Sequence, residues 1–146
     1  MIYSIGYSTR SLPEFLRELS CRGITQLWDV RSRPRSRNWP FNAPQIERWA
    51  EREGILYRQC GNVLGGHSGV PVDDPAYLNA LNDIVRIGRS ENLAIMCTEG
   101  DPARCHRTHK IGAELYRRHS VSVRSILRSG AEEGIEQTIS RAGRLL

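Results

Sequence analysis

Two kinds of hydrophobic pattern alternate along this chain. Short apolar runs predict strands, and we place five of them at residues 1–6, 25–30, 55–60, 93–96 and 121–127. Stretches with apolar residues at helical spacing predict helices over 12–22 and 43–53, from Asp74-Pro75 onward, from Asp101-Pro102 onward, and over 131–141. The Gly-rich stretch over 61–73 predicts a loop.

The alternation of strands and helices predicts the fold class. Helices that connect successive strands imply a mostly parallel sheet covered by helices on both faces. The run from Leu93 to Met96 is continuously apolar, as expected of a strand buried on both faces. We therefore predict a single α/β domain over residues 1–146, with a mostly parallel five-stranded, Rossmann-like sheet.

Composition excludes several classes of protein. With 146 residues, 39% of them hydrophobic, the chain can build one ordinary core and does not have a disordered composition. No apolar run approaches the roughly 20 residues of a membrane-spanning helix, so no membrane partner is expected. Residues 1–8 lack a signal-peptide pattern and the four cysteines lack C-x-x-C spacing. We therefore expect reduced thiols in a cytoplasmic protein. Cys21 falls at the end of the first predicted helix, and we expect it in the core.

The basic residues are almost all arginine. The net charge is +5, and Lys110 is the one lysine among 21 basic side chains. Arginine suits phosphate and carboxylate ligands, although Arg-rich codon usage explains the same bias. Every second residue from Arg31 to Arg37 is arginine, and Trp39 and Phe41 follow. An extended backbone would place the four arginines on one face for an anion, with aromatic rings for base stacking nearby. A solvated loop paired with carboxylates is the alternative.

Polar residues follow the predicted strands at the sheet edge where open parallel sheets bind ligands. Asp29 and Arg31 follow the second strand, and Cys97 and Glu99 follow the fourth. The pair Gly65-Gly66 follows the third strand and permits a close approach of backbone to ligand, although a plain turn is the simpler explanation. These positions predict a polar pocket at this edge.

The segment from Cys97 to Arg107 is the most informative part of the chain. A helix that starts at Asp101-Pro102 would place Cys105 and His106 in its first turns. The positive end of a helix lowers the pKa of a thiol located there. The spacing from Cys97 to the following arginine at 104 is one residue longer than the phosphate cradle of phosphatases and rhodaneses, so that analogy is poor.

Several chemistries remain open for this segment. A cysteine nucleophile could use His106 as its base. A metal could be held by ligands drawn from Cys97, Cys105, His106 and His67. Glu99 could act as an acid or base in a pocket walled by thiols. Alternatively, both cysteines are buried and unreactive.

The residues that we single out fall into two groups. The candidate catalytic residues are Glu99, Asp29, Cys97, Cys105 and His106. The candidate anion-binding residues are Arg31, Arg37, Arg107, Ser8, Ser36, Gly65 and Gly66. The cysteine spacing does not fit a closed structural zinc site, so we expect no structural metal. The sequence does not indicate a cofactor or an oligomeric state.

Four motifs, in order along the chain, resemble one known family. They are Ser4-Ile5-Gly6-Tyr7-Ser8, Asp29-Val30-Arg31-x-x-Pro34-x-Ser36, Leu64-Gly65-Gly66 and Cys97-x-Glu99-x-x-Pro102-x-x-Cys105-His106-Arg107. Together they are similar to domain-of-unknown-function family 488 over nearly the whole chain. The resemblance implies a small α/β protein whose shared polar residues gather at one sheet edge. It implies no particular activity.

The function that we predict is an enzyme-like pocket for an anionic ligand: a nucleotide, a nucleic acid or a phosphorylated metabolite. Glu99 and Asp29 would supply acid–base chemistry, and arginines would hold the anion. Such an enzyme would be a hydrolase or a transferase. The alternatives are a nucleic-acid-binding module that uses the loop from Arg31 to Phe41, and a partner-binding domain without chemistry.

Overall fold

A computed structural model describes residues 1–144, in which strands and helices alternate. The strands are β1 (Ile2–Gly6), β2 (Ile24–Asp29), β3 (Leu56–Gln59), β4 (Asn92–Cys97), β5 (Arg124–Ile126) and β6 (Glu132–Glu133). The helices are α1 (Leu12–Ser20), α2 (Ala43–Arg52), α3 (Gly61–Leu64), α4 (Pro75–Gly88), α5 (Ala113–His119) and α6 (Ile135–Arg141). Short 3₁₀ turns cover Trp39–Phe41 and Pro102–Arg104, and a π-helical segment, Arg107–Gly112, leads directly into α5.

The strands form one sheet in the order β3-β2-β4-β1-β5-β6. All neighbours pair in parallel except β5 and β6, which are antiparallel. The predicted α/β class with a mostly parallel sheet is confirmed, but the predicted number of strands is wrong. The chain turns at Gly130, whose φ is +88°, and the residues after it pair with β5 before α6 begins. The helix predicted over 131–141 therefore starts later, at Ile135.

The core lies on both faces of the sheet, as the sequence predicts. Residues of β4 alternate between the faces: Ile95 and Cys97 pack with the buried side of α4, whereas Met96 packs with α1 and α2. An aromatic cluster fills the α1/α2 face, where Phe15 contacts Phe41 edge to face with ring centroids 5.1 Å apart. Strand β4 is thus central and buried, and its carboxyl end, Cys97, points to the α4/α5 side.

Three local predictions are wrong. Asp101 caps only a 3₁₀ turn, the backbone at Cys105 is extended, and the π-helical segment begins at Arg107, so Cys105 precedes the helix. Residues 61–73 contain the one-turn helix α3 in addition to loop. Cys21, expected in the core at the end of the first helix, is exposed. Among residues 1–144, no helix is long and apolar enough to cross a bilayer.

Gly6 lies where β1 meets the segment that follows β4. A Cβ at this position would lie 1.8 Å from the carbonyl oxygen of Glu99, which is backbone and cannot move away alone. We predict that Gly6→Ala lowers the free energy of unfolding by about 3 kcal/mol, because overpacking of this kind displaces the main chain. Urea unfolding measures the change.

Gly134→Ala is the matched control for this substitution. A Cβ at Gly134 would meet its nearest neighbour, Ser122 Oγ, at 3.6 Å, an ordinary contact. Its effect should stay within about 1 kcal/mol, as for most substitutions without a clash. Equal stability of the two variants would contradict the close packing at Gly6.

Candidate functional site

A cleft of about 650 Å³ opens beyond the carboxyl ends of β2 and β4. Its lining comes from four short segments: 31–33, 66–67, 97–99 and 104–106. The segments follow β2, α3 and β4, and the last one precedes the helix that starts at Arg107. The cleft therefore lies at the sheet edge where open parallel sheets bind ligands, outside the carboxyl ends of the strands.

The segment after β4 is fixed by the segment after β1. Gly6 and Cys97 are paired in register, and the amides of Tyr7 and Ser8 donate to the carbonyls of Cys97 and Thr98 at 3.1 and 2.9 Å. Ser8 adopts a positive φ of 37° to make this contact. The cleft wall formed by 97–99 is therefore held by backbone hydrogen bonds and not only by side chains.

The guanidinium of Arg107 lies directly behind the cleft and is completely buried, with 0% of the residue exposed. Its Nη1 donates to Cys97 Sγ and to the carbonyl oxygen of Glu99, both at 2.6 Å, and its Nε donates to Ser4 Oγ at 3.2 Å. Within residues 1–144, no carboxylate pairs with it, and its Nη2 has no hydrogen-bond partner. A buried charge without a counter-charge is costly, so the nearby thiols are the groups that can balance it.

Cys97 and Cys105 form a close pair, with their sulfur atoms 3.0 Å apart. The hydrogen bond from Cys97 lowers the pKa of Cys105 to about 3, with help from His106 and from the charge of Arg107, against the opposing effect of burial. The same hydrogen bond, together with burial, raises the pKa of Cys97 well above its usual value. These two pKa directions favour Cys105 as the thiolate of the pair and Cys97 as the thiol that donates to it.

His106 and Glu99 lie on either side of this pair. The Nδ1 atom of His106 is 3.7 Å from Cys105 Sγ, and its ring packs over Gly66, where a Cβ would be 3.5 Å from the ring. The carboxylate of Glu99 lines the cleft and accepts a hydrogen bond of 3.0 Å from the amide of Asp101. Both side chains can exchange protons with a molecule bound in the cleft.

Asp29 is bound within the protein and does not line the cleft. It is 1% exposed and forms a two-point ion pair with Arg31, with hydrogen bonds of 2.9 and 2.7 Å. Tyr57 donates to the same carboxylate at 2.5 Å. Burial opposes the charge of Arg31, but Asp29 outweighs it and raises the pKa of that guanidinium. No sequence pattern indicates a role for Tyr57, since that role depends on the pairing of β2 with β3.

We call residues 31–41 the arginine segment, and the ion pair with Asp29 separates Arg31 from the other arginines in it. Arg31 is buried, whereas Arg33, Arg35 and Arg37 are exposed, so the prediction that all four share one face is wrong. Ser36 and Asn42 stabilise the segment through two hydrogen bonds of 2.8 Å.

The two aromatic residues of this segment also separate. Phe41 is buried and stacks on Tyr7, with ring centroids 4.5 Å apart. It is therefore not available for base stacking as the sequence suggested. Trp39 is 64% exposed.

Some of the remaining candidate residues line the cleft, and the others lie outside its lining. Gly66 lines the cleft, whereas Gly65 packs against α3, where a Cβ would lie 2.3 Å from the carbonyl oxygen of Gly61. Ser8, Ser36 and Arg37 lie outside the lining. Lining residues that the candidate set lacks are Ser32, Arg33, His67, Thr98 and Arg104. Within the described part of the chain, no three His, Cys, Asp or Glu side chains come together as a metal site would require.

The ion pair between Asp29 and Arg31 should be required for a stable cleft wall. We predict that Asp29→Asn costs about 3–5 kcal/mol of unfolding free energy, because it leaves the buried guanidinium without its counter-charge. Asp83→Asn is the control, since Asp83 forms only exposed ion pairs with Arg58 and Arg86. It should change stability by less than about 1 kcal/mol. Similar losses in both variants, measured by urea unfolding, would contradict a special role for the buried pair.

Comparison with known proteins finds a family model that matches part of the chain and a solved structure that is similar to it. The chain is similar to a solved structure described as "Protein Tyrosine Phosphatase (putative) from Leishmania major", with 15% identity, a TM-score of 0.43, and coverage of 99% of this chain and 79% of that one. No curated protein matches the chain. A family model, "Domain of unknown function DUF488", matches residues 11–71, which include Asp29, Arg31 and the Gly65-Gly66 pair. The resemblance stated from the sequence is thereby confirmed over residues 11–71, which match the model of this family.

Proposed function

We propose that this protein is a cysteine-dependent enzyme, a hydrolase or a transferase, that attacks an anionic substrate with the thiolate of Cys105. The observation that carries the proposal is the buried Arg107, which no described carboxylate neutralises and which donates to Cys97 Sγ, the sulfur that lies 3.0 Å from Cys105 Sγ. A thiolate is the nucleophilic form of cysteine, and a neighbouring cation is one of the ways in which proteins stabilise it. Cys105 also lines the cleft, where a substrate can reach it.

The proposed reaction proceeds by displacement at an electrophilic atom of the bound substrate. Cys105 Sγ supplies the electron pair of a new bond to that atom, and the bond to the leaving group breaks with its electron pair. His106 or Glu99 gives the leaving group a proton. Water, or an acceptor substrate, then gives a proton back to His106 or Glu99, attacks the same atom and releases the Cys105 thiolate. Attack by water makes the protein a hydrolase, and attack by an acceptor makes it a transferase.

The charge of the cleft supports an anionic substrate. Arg31, Arg33 and Arg104 line it, and Glu99 is the one carboxylate in its lining among residues 1–144. Arg31 is already paired with Asp29, so Arg33 and Arg104 are the guanidinium groups left to bind a ligand. Guanidinium groups bind phosphate and carboxylate through paired hydrogen bonds. A nucleotide or another phosphorylated metabolite fits this lining, and no cofactor is assigned.

The proposal changes the role of two candidate residues. Asp29 is engaged by Arg31 and Tyr57, so it positions the cleft wall and leaves the acid–base role to Glu99 and His106. Arg107 lies behind the thiols and stabilises the thiolate, so it does not contact the substrate anion.

Alkylation of native protein at a series of pH values tests the proposal. We predict that iodoacetamide modifies Cys105 at a rate that is nearly constant from pH 5 to pH 8, because a pKa lowered to about 3 leaves it ionised throughout. Labelling of the exposed Cys21 should instead rise with pH toward the ordinary thiol pKa of about 8.5. Inorganic phosphate or ADP should slow labelling at Cys105 and leave Cys21 unaffected. Peptide mass spectrometry measures each site separately.

Cys60 is the internal control for this experiment. Burial raises the pKa of its thiol to about 12, so it should remain unlabelled while the protein is folded. The proposal is overturned if Cys105 behaves like Cys60, or if its labelling rises with pH in parallel with that of Cys21.

A second candidate function, binding of single-stranded nucleic acid, is favoured by one observation. Trp39 is 64% exposed on the segment that also exposes Arg33, Arg35 and Arg37. An accessible aromatic ring beside guanidinium groups is typical of surfaces that stack bases and contact phosphates. Because Arg33 also lines the cleft, a strand bound here would pass the proposed active site.

Oligonucleotide binding tests this second function. We predict that a fluorescent single-stranded oligonucleotide binds at low salt, and that replacing Arg35, Arg37 and Trp39 by Ala weakens binding at least tenfold and reduces its salt dependence, as the loss of phosphate contacts requires. Arg86→Ala combined with Arg89→Ala removes exposed positive charge from the end of α4 and serves as control. Equal weakening by both variants would indicate that net charge alone causes binding and would remove this function.

A further inference from the structure

We propose that Cys97 and Cys105 form a reversible redox pair: a hydroperoxide oxidises Cys105, and Cys97 then closes an intramolecular disulfide with it. The inference rests on the proposed function in one respect, that Cys105 is a thiolate open to the cleft. It adds a reaction of the same site with a second class of substrate, and it gives Cys97 a role that the displacement reaction does not need.

The geometry of the two sulfur atoms supports this proposal. They are 3.0 Å apart, whereas a disulfide bond is about 2.05 Å long, so closure needs a movement of only about 1 Å. Both cysteines line the cleft, although each is largely buried. Cys97 ends β4 and Cys105 precedes the helix that starts at Arg107, so the bond would join the two ends of the segment 98–104.

The other two thiols have different surroundings. Cys60 Sγ lies against the backbone carbonyls of Asp29 and Arg58, and Cys21 is exposed at the end of α1. Among the described residues, neither thiol forms a hydrogen bond with Cys97 or Cys105. An intramolecular disulfide in the native protein would therefore join Cys97 and Cys105.

The proposed oxidation takes two balanced steps. The Cys105 thiolate attacks one oxygen of the hydroperoxide, the O–O bond breaks, and the other oxygen leaves as water or an alcohol after taking a proton; Cys105 becomes a sulfenic acid. Cys97 then loses its proton, and its sulfur attacks the Cys105 sulfur. The S–O bond breaks, and the departing hydroxide takes one proton, equivalent to the one that Cys97 lost, and leaves as water. The two cysteines lose two electrons in total, which the hydroperoxide accepts.

Arg107 favours reduction of the disulfide to the thiol and thiolate. In the disulfide, neither sulfur carries a charge, so the buried guanidinium would keep only neutral acceptors, the Glu99 carbonyl and Ser4 Oγ. The reduced form has a thiolate to balance that charge. A disulfide whose reduced form is stabilised in this way is readily reduced by a cellular dithiol, so the pair would cycle and would not remain oxidised as a structural crosslink does.

Treatment of native protein with a small excess of hydrogen peroxide tests the pair. Intact mass spectrometry should show the loss of two hydrogen atoms, and non-reducing peptide maps should show Cys97 linked to Cys105. Dithiothreitol should reverse both. Cys21→Ser and Cys60→Ser are the matched controls and should form the same disulfide, because neither sulfur belongs to the pair. A linkage that involves Cys21 or Cys60 in its place would overturn the proposal.

Two single variants separate this proposal from the proposed enzyme function. In Cys97→Ser, Cys105 should proceed to sulfinic acid, which appears as a gain of two oxygen atoms that dithiothreitol does not reverse. In Cys105→Ser, no internal disulfide should form. If wild-type Cys105 is alkylated as a thiolate but peroxide carries it to sulfinic acid without a disulfide, the redox pair is wrong and the enzyme function stands. If wild-type Cys105 reacts with neither reagent, both are wrong.

Discussion

The buried guanidinium of Arg107 is the constraint on which the site depends. Arg107 is the first residue of the π-helical segment that leads into α5. Its guanidinium connects this helix to β1 through Ser4, and to the end of β4 through Cys97 and Glu99. The cost of burying such a group is high unless a negative charge lies close to it. Among the described residues no carboxylate supplies that charge, so we propose that the thiol pair does, which would give the packing of the sheet edge and the ionisation of Cys105 the same cause.

A second buried arginine plays the complementary role on the other wall. Arg31 is neutralised by Asp29 and also donates to the carbonyl of Phe41 at 2.7 Å, which connects the arginine segment to the aromatic cluster of the core. The two walls therefore differ in how their charge is balanced. One uses the carboxylate of Asp29, and the other, in the proposed function, uses a thiolate, which assigns the proposed chemistry to the wall after β4.

Much of the architecture could be predicted from local patterns. The uninterrupted apolar run that ends at Cys97 identifies the central strand, and the rule that ligands bind at the carboxyl ends of parallel strands places the cleft correctly. The late strand β6 could not be predicted, because two glutamates give no apolar alternation and their pairing depends on the turn at Gly130.

The hydrogen bonds and ion pairs between side chains of the site could not be predicted from the sequence. Asp29 and Arg31 are two residues apart, and their mutual ion pair removes the carboxylate from the cleft, whereas the sequence alone leaves both available to a ligand. The closeness of Cys97 to Cys105 depends on the path of the segment 98–104, which has a 3₁₀ turn and an extended residue where a regular helix was expected. Arg107 was expected to bind the ligand, but its burial directs it to the protein's own sulfur atoms.

The central claim is that one thiol is ionised at neutral pH, and ultraviolet absorbance of the thiolate measures this most directly. The difference spectrum between the native protein and its Cys105→Ser variant should show one thiolate per chain at pH 7, still present at pH 5. A thiolate signal that appears only as the pH rises through about 8.5, the ordinary value for cysteine, would contradict the account.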